Sequence, residues 1–112
     1  MGRKSGKNSA LLEPLDMLIL KILSRQNLHG YAIVQAIHRS SGDEILIEEG
    51  SLYPALQRLE ANGWIDGDWG ISASNRRARI YKLTARGRKQ LNYEQMRYEQ
   101  VTLAIARLMA QE

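Results

Sequence analysis

The feature that most constrains this chain is the helix it encodes at its C-terminal end. Thr84 is a natural N-cap, and from Ala85 to about Ala110 the residues Leu91, Tyr98, Val101, Ile105 and Leu108 are spaced 7, 3, 4 and 3. That is the a/d seam of a coiled coil, with Glu94 as its one polar interruption. About 26 residues at about 1.5 Å each make a rod of roughly 39 Å. A globule of 112 residues has a radius of gyration near 13 Å (roughly). The helix must therefore project, and a projecting helix with an apolar seam calls for a second chain. A homodimer about a two-fold axis is the simplest answer. The competing arrangement folds the seam back over the first helix of its own chain, and the two are compatible if different faces are used.

What precedes this helix is enough for one domain and too little for two with a cleft between them. The chain has no cysteine, which removes disulfides, thiolate zinc sites and Cys nucleophiles and suits a reducing compartment. The longest apolar stretch, Leu15 to Leu23, is interrupted by Asp16 and Lys21 and is too short to span a bilayer. No uncharged segment with a cleavage site follows Arg3, Lys4 and Lys7, so no signal peptide is read and a cytoplasmic protein is expected. His29 and His38 are the only histidines and form no metal-binding pair. GSLYP lacks the second glycine of a nucleophile elbow, and Gly63, Gly67 and Gly70 do not form a phosphate-binding loop. No enzyme, metal or cofactor is expected.

Residues 1–12 are polar and basic, and read as a flexible arm. From Pro14 to Ser24, Leu15, Leu18, Ile19, Ile22 and Leu23 follow helical spacing, with Pro14 at the first helical position. Tyr31, Ile33, Val34 and Ile37 define a second helix from Gly30 to about Arg39. Ile45 to Ile47 are β-prone and predict at most one short strand. Ser51 is the expected N-cap of a third helix whose inward stripe is Leu52, Leu56 and Leu59, with Pro54 in its first turn and Gly63 at its end. WIDGDWG and RARIYKL then predict an antiparallel hairpin with a loose tip around Gly70 to Asn75. The order predicts a mainly α fold with a small β-hairpin: a winged helix-turn-helix over residues 13–84, followed by a dimerisation helix over residues 85–112.

Charge is informative once it is placed along the chain. From Arg76 to Lys89 there are seven basic residues and no acidic one, which leaves the other 98 residues at about −3 because the whole chain carries +4. Such contrast predicts one face made for a polyanion, nucleic acid first. A third helix entering the major groove, with the hairpin on neighbouring phosphates, fits this element order. Ser51, Pro54, Gln57 and Arg58 lie opposite the inward stripe of that helix, with Tyr53 at the edge. Arg58 and Gln57 are types that read guanine and adenine, while Ser51 and Tyr53 suit phosphate. Arg76, Arg77 and Arg79 would be the wing's contacts. The bland reading makes Arg58 a surface partner of Glu60 or Glu94, and the rival function is a winged-helix module whose wing binds an acidic protein.

The segments LHGY (Leu28 to Tyr31), GSLYPALQRLEANGWI (Gly50 to Ile65) and NRRARIYKLTARGRKQL (Asn75 to Leu91) resemble the signatures of the PadR family of bacterial transcriptional regulators. The resemblance runs from about Leu12 to Leu108. It implies an operator-binding winged helix with a single C-terminal dimerisation helix, commonly a repressor that releases DNA when a small effector binds. It also implies that Tyr31, Ser51, Tyr53, Pro54 and Arg58 belong to the DNA-facing motif, and Arg76 and Arg77 to the wing. In some short relatives aromatic residues of the last helix line an apolar pore between protomers. By that likeness Tyr93, Tyr98 and Met96 are candidates for contact with a small hydrophobic or phenolic effector. One departure is Glu13-Pro14, where relatives usually open the first helix with Gly-Thr or Gly-Ser.

Overall fold

The computed structural model describes residues 14–112; the arm expected over residues 1–12, and Glu13 with it, lie outside the described residues. Helix α1 spans Leu15–Leu23, and Pro14 is its N-cap rather than its first helical residue. Its apolar spacing places Ile19, Leu20, Ile22 and Leu23 in the core. A two-residue strand, β1 (Leu28–His29), leads directly into helix α2 (Gly30–Ser40), which contributes Ile33, Val34, Ala36 and Ile37. Gly42 and Asp43 follow with φ of +64° and +65°, a left-handed pair that ends α2 and reverses the chain.

The short strand expected at Ile45 to Ile47 does not form. Those residues are an irregular loop, and the third strand of the sheet is β1 instead. Helix α3 spans Glu49–Ala61 with Glu48 as N-cap, so Ser51 lies inside its first turn and is not the cap. Pro54 is then an interior residue; the donor it lacks leaves the Gly50 carbonyl without a helical partner at the exposed start of the helix. The end of α3 follows the sequence reading closely. Gly63 has φ +77°, Gly63 N–H donates to the Glu60 carbonyl and Trp64 N–H to that of Leu59, both at 3.0 Å. This is a Schellman motif, and it turns the chain straight into the hairpin.

The hairpin pairs β2 (Ile65–Ile71) with β3 (Arg77–Leu83), and β1 adds to the other edge of β3, giving an antiparallel sheet ordered β1-β3-β2. Leu28 faces Tyr81 and His29 faces Ile80, so β1 takes the edge of β3 that Ile45 to Ile47 would need. The tip is better organised than expected. Ser72 N–H donates to the Arg76 carbonyl at 2.8 Å and Arg76 N–H to Ser72 Oγ at 3.3 Å. Asn75 takes a left-handed φ of +63°, a conformation asparagine tolerates.

Helix α4 (Ala85–Met109) begins as the sequence predicts: Thr84 Oγ1 accepts from Gly87 N–H at 3.0 Å and its hydroxyl donates to the Gly63 carbonyl at 2.7 Å. Its first turns pack on α1, and Leu91 is buried in the core of its own chain. That corrects the expected start of the intermolecular seam. Beyond Leu91 no residue of α4 is buried. The projection accounts for a radius of gyration of 15.3 Å and a long dimension of 56 Å.

Candidate nucleic-acid interface

The core stripe of α3, Leu52, Ala55, Leu56 and Leu59, is buried, and the helix period therefore turns Ser51, Tyr53, Pro54, Gln57 and Arg58 outward. All five are exposed. Tyr53 is aligned by a glycine: a methyl group at Gly30 would meet the Tyr53 hydroxyl and ring at 3.1–3.3 Å. Its phenol thus rests against the start of α2, next to exposed Tyr31. His29, the N-cap of α2, makes no side-chain capping bond. The first-turn amides of α2, the Tyr53 hydroxyl and Tyr31 therefore gather at one corner, a chemistry suited to phosphate oxygen.

Arg58 pairs with neither Glu60 nor Glu94, the carboxylates expected for it. Its Nη2 donates to Asp16 Oδ1 at 2.7 Å, tying α3 to α1, while the side chain stays 48% exposed. Glu60 instead receives Arg79, and Glu94 receives the Gln90 amide at 2.7 Å. Arg58 thus lies on the outward face with its orientation set by a carboxylate behind it.

The hairpin has two distinct sides, fixed by strand parity. Odd-numbered residues turn toward α3: Ile65 and Tyr81 enter the core, and Arg79 reaches Glu60 at 2.5 Å. Even-numbered positions face away, where Asp66 pairs in register with Lys82 and Asp68 with Ile80. Arg79, expected as a wing contact, is held between β3 and α3 by Glu60, with its guanidinium also 5.7 Å from the Tyr81 ring centroid. Gly67 makes this possible, because a methyl group there would strike the Arg79 guanidinium and the Tyr81 ring. Arg76 and Arg77, near the tip, are both exposed.

The basic run is therefore dispersed by the fold. Lys82 lies on the far face of the hairpin, Arg86 approaches Gly63, and Arg88 and Lys89 are exposed on α4. Sequence reasoning missed Asp16 as the partner of Arg58, Glu60 as the partner of Arg79, and the close approach at Gly67. The signal for the two pairs was weak, since the partners are distant in the chain; for Gly67 it was a glycine inside a strand, which marks close approach. Among the described residues no group of three or more His, Asp or Glu side chains is placed to hold a metal ion, and no helix is long and apolar enough to cross a membrane.

On α4 the expected effector and seam positions separate. Tyr98, Ile105 and Leu108 are exposed and Val101 half-buried, all on one side of the helix. Met96 and Tyr98 are two residues apart, so they point to opposite sides, and Tyr93 shares the side of Met96. No single face of one chain carries Tyr93, Met96 and Tyr98 together.

The model of the transcriptional regulator PadR-like family matches residues 19–93. A transcriptional regulator from Clostridium thermocellum shares the fold at a TM-score of 0.76 and 27% identity, over 89% of this chain and 94% of that one. A PadR-like regulator from Bacillus cereus superposes at 0.73 and 26% identity, over 88% and 93%. Bacillus subtilis PadR, solved in complex with operator DNA, superposes at 0.64 and 26% identity over 72% of this chain and 45% of its own. The family match extends from the middle of α1, through the exposed face of α3 and the wing, into the start of α4. The chain belongs to the PadR-like family of transcriptional regulators.

Proposed function

We propose that this chain is a sequence-specific, double-stranded DNA-binding regulator that acts in the cytoplasm as a homodimeric repressor. The observation that carries the reading is the outward face of α3, Ser51, Tyr53, Pro54, Gln57 and Arg58, lying beside a wing whose tip bears Arg76 and Arg77. The complex of Bacillus subtilis PadR with operator DNA supports the same use of this fold here. In the proposed complex α3 enters the major groove, where Gln57 and Arg58 meet base edges. Tyr31, Ser51 and Tyr53 hold phosphates beside it, and Arg76 and Arg77 contact the flanking backbone or minor groove. Two copies joined through Tyr98, Val101, Ile105 and Leu108 would set two half-sites about 34–36 Å apart.

The test is a titration of labelled duplex DNA at several salt concentrations. Affinity should fall with a log–log slope near 0.9 per neutralised phosphate (roughly), and a selected duplex should outcompete random DNA. Binding that is insensitive to salt, or capture of an acidic protein with no preference for any duplex, would overturn the reading. For the effector, the geometry favours a site completed only between protomers, with Tyr93 and Met96 from one side of α4 and Tyr98 from the other. Addition of a phenolic acid or a hydrophobic cation should then release DNA from the intact dimer and not from a Tyr98→Ala variant.

A further inference from the structure

Two large apolar side chains on the wing are left in water: Trp69 at 59% exposure and Ile71 at 65%. Both are odd-numbered residues of β2 and so lie on the side that faces α3. In register, Trp69 is opposite Arg79 and Ile71 opposite Arg77. Arg77 does not extend straight out from its own cross-strand neighbour. Its guanidinium carbon lies 4.7 Å from the centroid of the Trp69 ring, one diagonal step back toward the body of the protein.

That geometry removes freedom from a long side chain. A guanidinium stacked on an indole keeps its in-plane N–H donors available while one face is held by the ring. The opposite side of the hairpin carries Asp66 and Asp68, with Lys82 in register opposite Asp66, so its charges largely oppose phosphate. The Trp69, Ile71 and Arg77 side, which carries no acidic residue of β2 or β3, is the more favourable one for a polyanion.

We propose that Trp69 is a positioning residue that holds Arg77 on the α3-facing side of the wing, so that its guanidinium enters the minor groove adjoining the base pairs covered by α3. Ile71 flanks it as an apolar lip against the sugar walls. An arginine presented this way responds to groove width, and A·T-rich steps, whose minor groove is narrow and strongly negative, are favoured. The wing then contributes sequence preference at positions that no base-edge contact reads. This inference rests on the DNA-binding reading above.

The test uses the full chain and a duplex enriched by the wild-type protein from a random-sequence pool. Trp69→Ala and Arg77→Ala should each weaken binding roughly three- to tenfold, with the thermal midpoint unchanged because both side chains are exposed. The double variant should bind no more weakly than Arg77→Ala alone. Trp69→Phe should retain most of the affinity, whereas Trp69→Leu, with bulk and no π face, should behave like Trp69→Ala. Exchanging A·T for G·C pairs under the wing should weaken the wild type and leave Arg77→Ala indifferent. Full affinity of Trp69→Ala, losses that multiply in the double variant, or equal behaviour of the Phe and Leu variants would each overturn the positioning role. So would conversion of dimer to monomer by Trp69→Ala, which would make the patch a contact between copies. Failure of the wild-type chain to bind any duplex would overturn the DNA-binding reading itself, and is distinguishable because it precedes every variant.

Discussion

A methyl group added at Gly87 would fall well inside contact distance of the Trp64 carbonyl oxygen, a backbone atom that cannot swing aside. Thr84 N–H donates to that same carbonyl at 3.1 Å, so the first turn of α4 and the corner after α3 are built against one another. Gly87→Ala should lower the stability of the folded chain by about 1–3 kcal/mol, read as a reduced urea midpoint, and an unchanged midpoint would contradict the close approach. Arg79 allows a second test at this scale. Its pair with Glu60 is about one-third exposed on each side, which limits its contribution to roughly 0.5–1 kcal/mol. Arg79→Ala should therefore cost a little stability and flatten the salt dependence of DNA binding less than Arg76→Ala does; an equal flattening would restore Arg79 to the phosphate contacts. At this scale the sequence was legible where chemistry is local. Thr84 as a cap and Gly63 as a helix terminator follow from their neighbours alone. Partners such as Asp16 for Arg58 are 42 positions apart and become visible only once α1 and α3 have packed.

Elements show the same division. The amphipathic spacing of α1, α2 and α3 and the alternation of the hairpin were readable because each is a repeated local signal. The start of α3 was not, since Glu48 caps the helix without a side-chain bond and Ser51 offered the more conspicuous hydroxyl. Ile45 to Ile47 misled for a tertiary reason: apolar and β-branched residues form a strand only where they meet a partner edge, and the edge of β3 is taken by β1. The loop is held by two side chains instead. Ile47 N–H donates to His38 Nε2 at 2.8 Å, and Ile45 N–H to Ser41 Oγ at 3.1 Å. An acceptor nitrogen requires that this edge of the imidazole carry no proton. His38→Ala should leave the half-buried Ile47 amide unsatisfied, cost about 1–2 kcal/mol and speed hydrogen exchange at Ile47. Exchange at Ile47 as slow as in the wild type would show that the loop is held by other means. Because this loop delivers the chain to Glu48, its loosening should also reduce affinity for duplex DNA.

At the scale of the molecule, α4 is divided by its length and its packing. Its first turns belong to the domain, through Gly87 and Leu91, and its remainder carries an apolar side that one chain leaves in water: Ile105, Leu108 and Met109 are 45%, 64% and 75% exposed. In the proposed dimer this face would be covered by a second copy, and at about 25 cal/mol per Å² its burial would be a large contribution to the stability of the assembly. The division also fixes where a deletion must be made. Ending the chain after Gln90 would remove Leu91 and damage the core, confusing loss of dimer with loss of fold. Ending it after Met96 keeps the core intact while removing Tyr98, Val101, Ile105 and Leu108. That truncated chain should unfold cooperatively with a urea midpoint close to that of dissociated wild-type protein, sediment as a monomer, and lose most of its affinity for a two-half-site duplex while keeping weak binding to a single half-site. Ile105→Glu with Leu108→Glu in the full chain should give the same result without changing its length. If either protein still sediments as a dimer, the two copies meet elsewhere, and the spacing of half-sites must be set by a different surface.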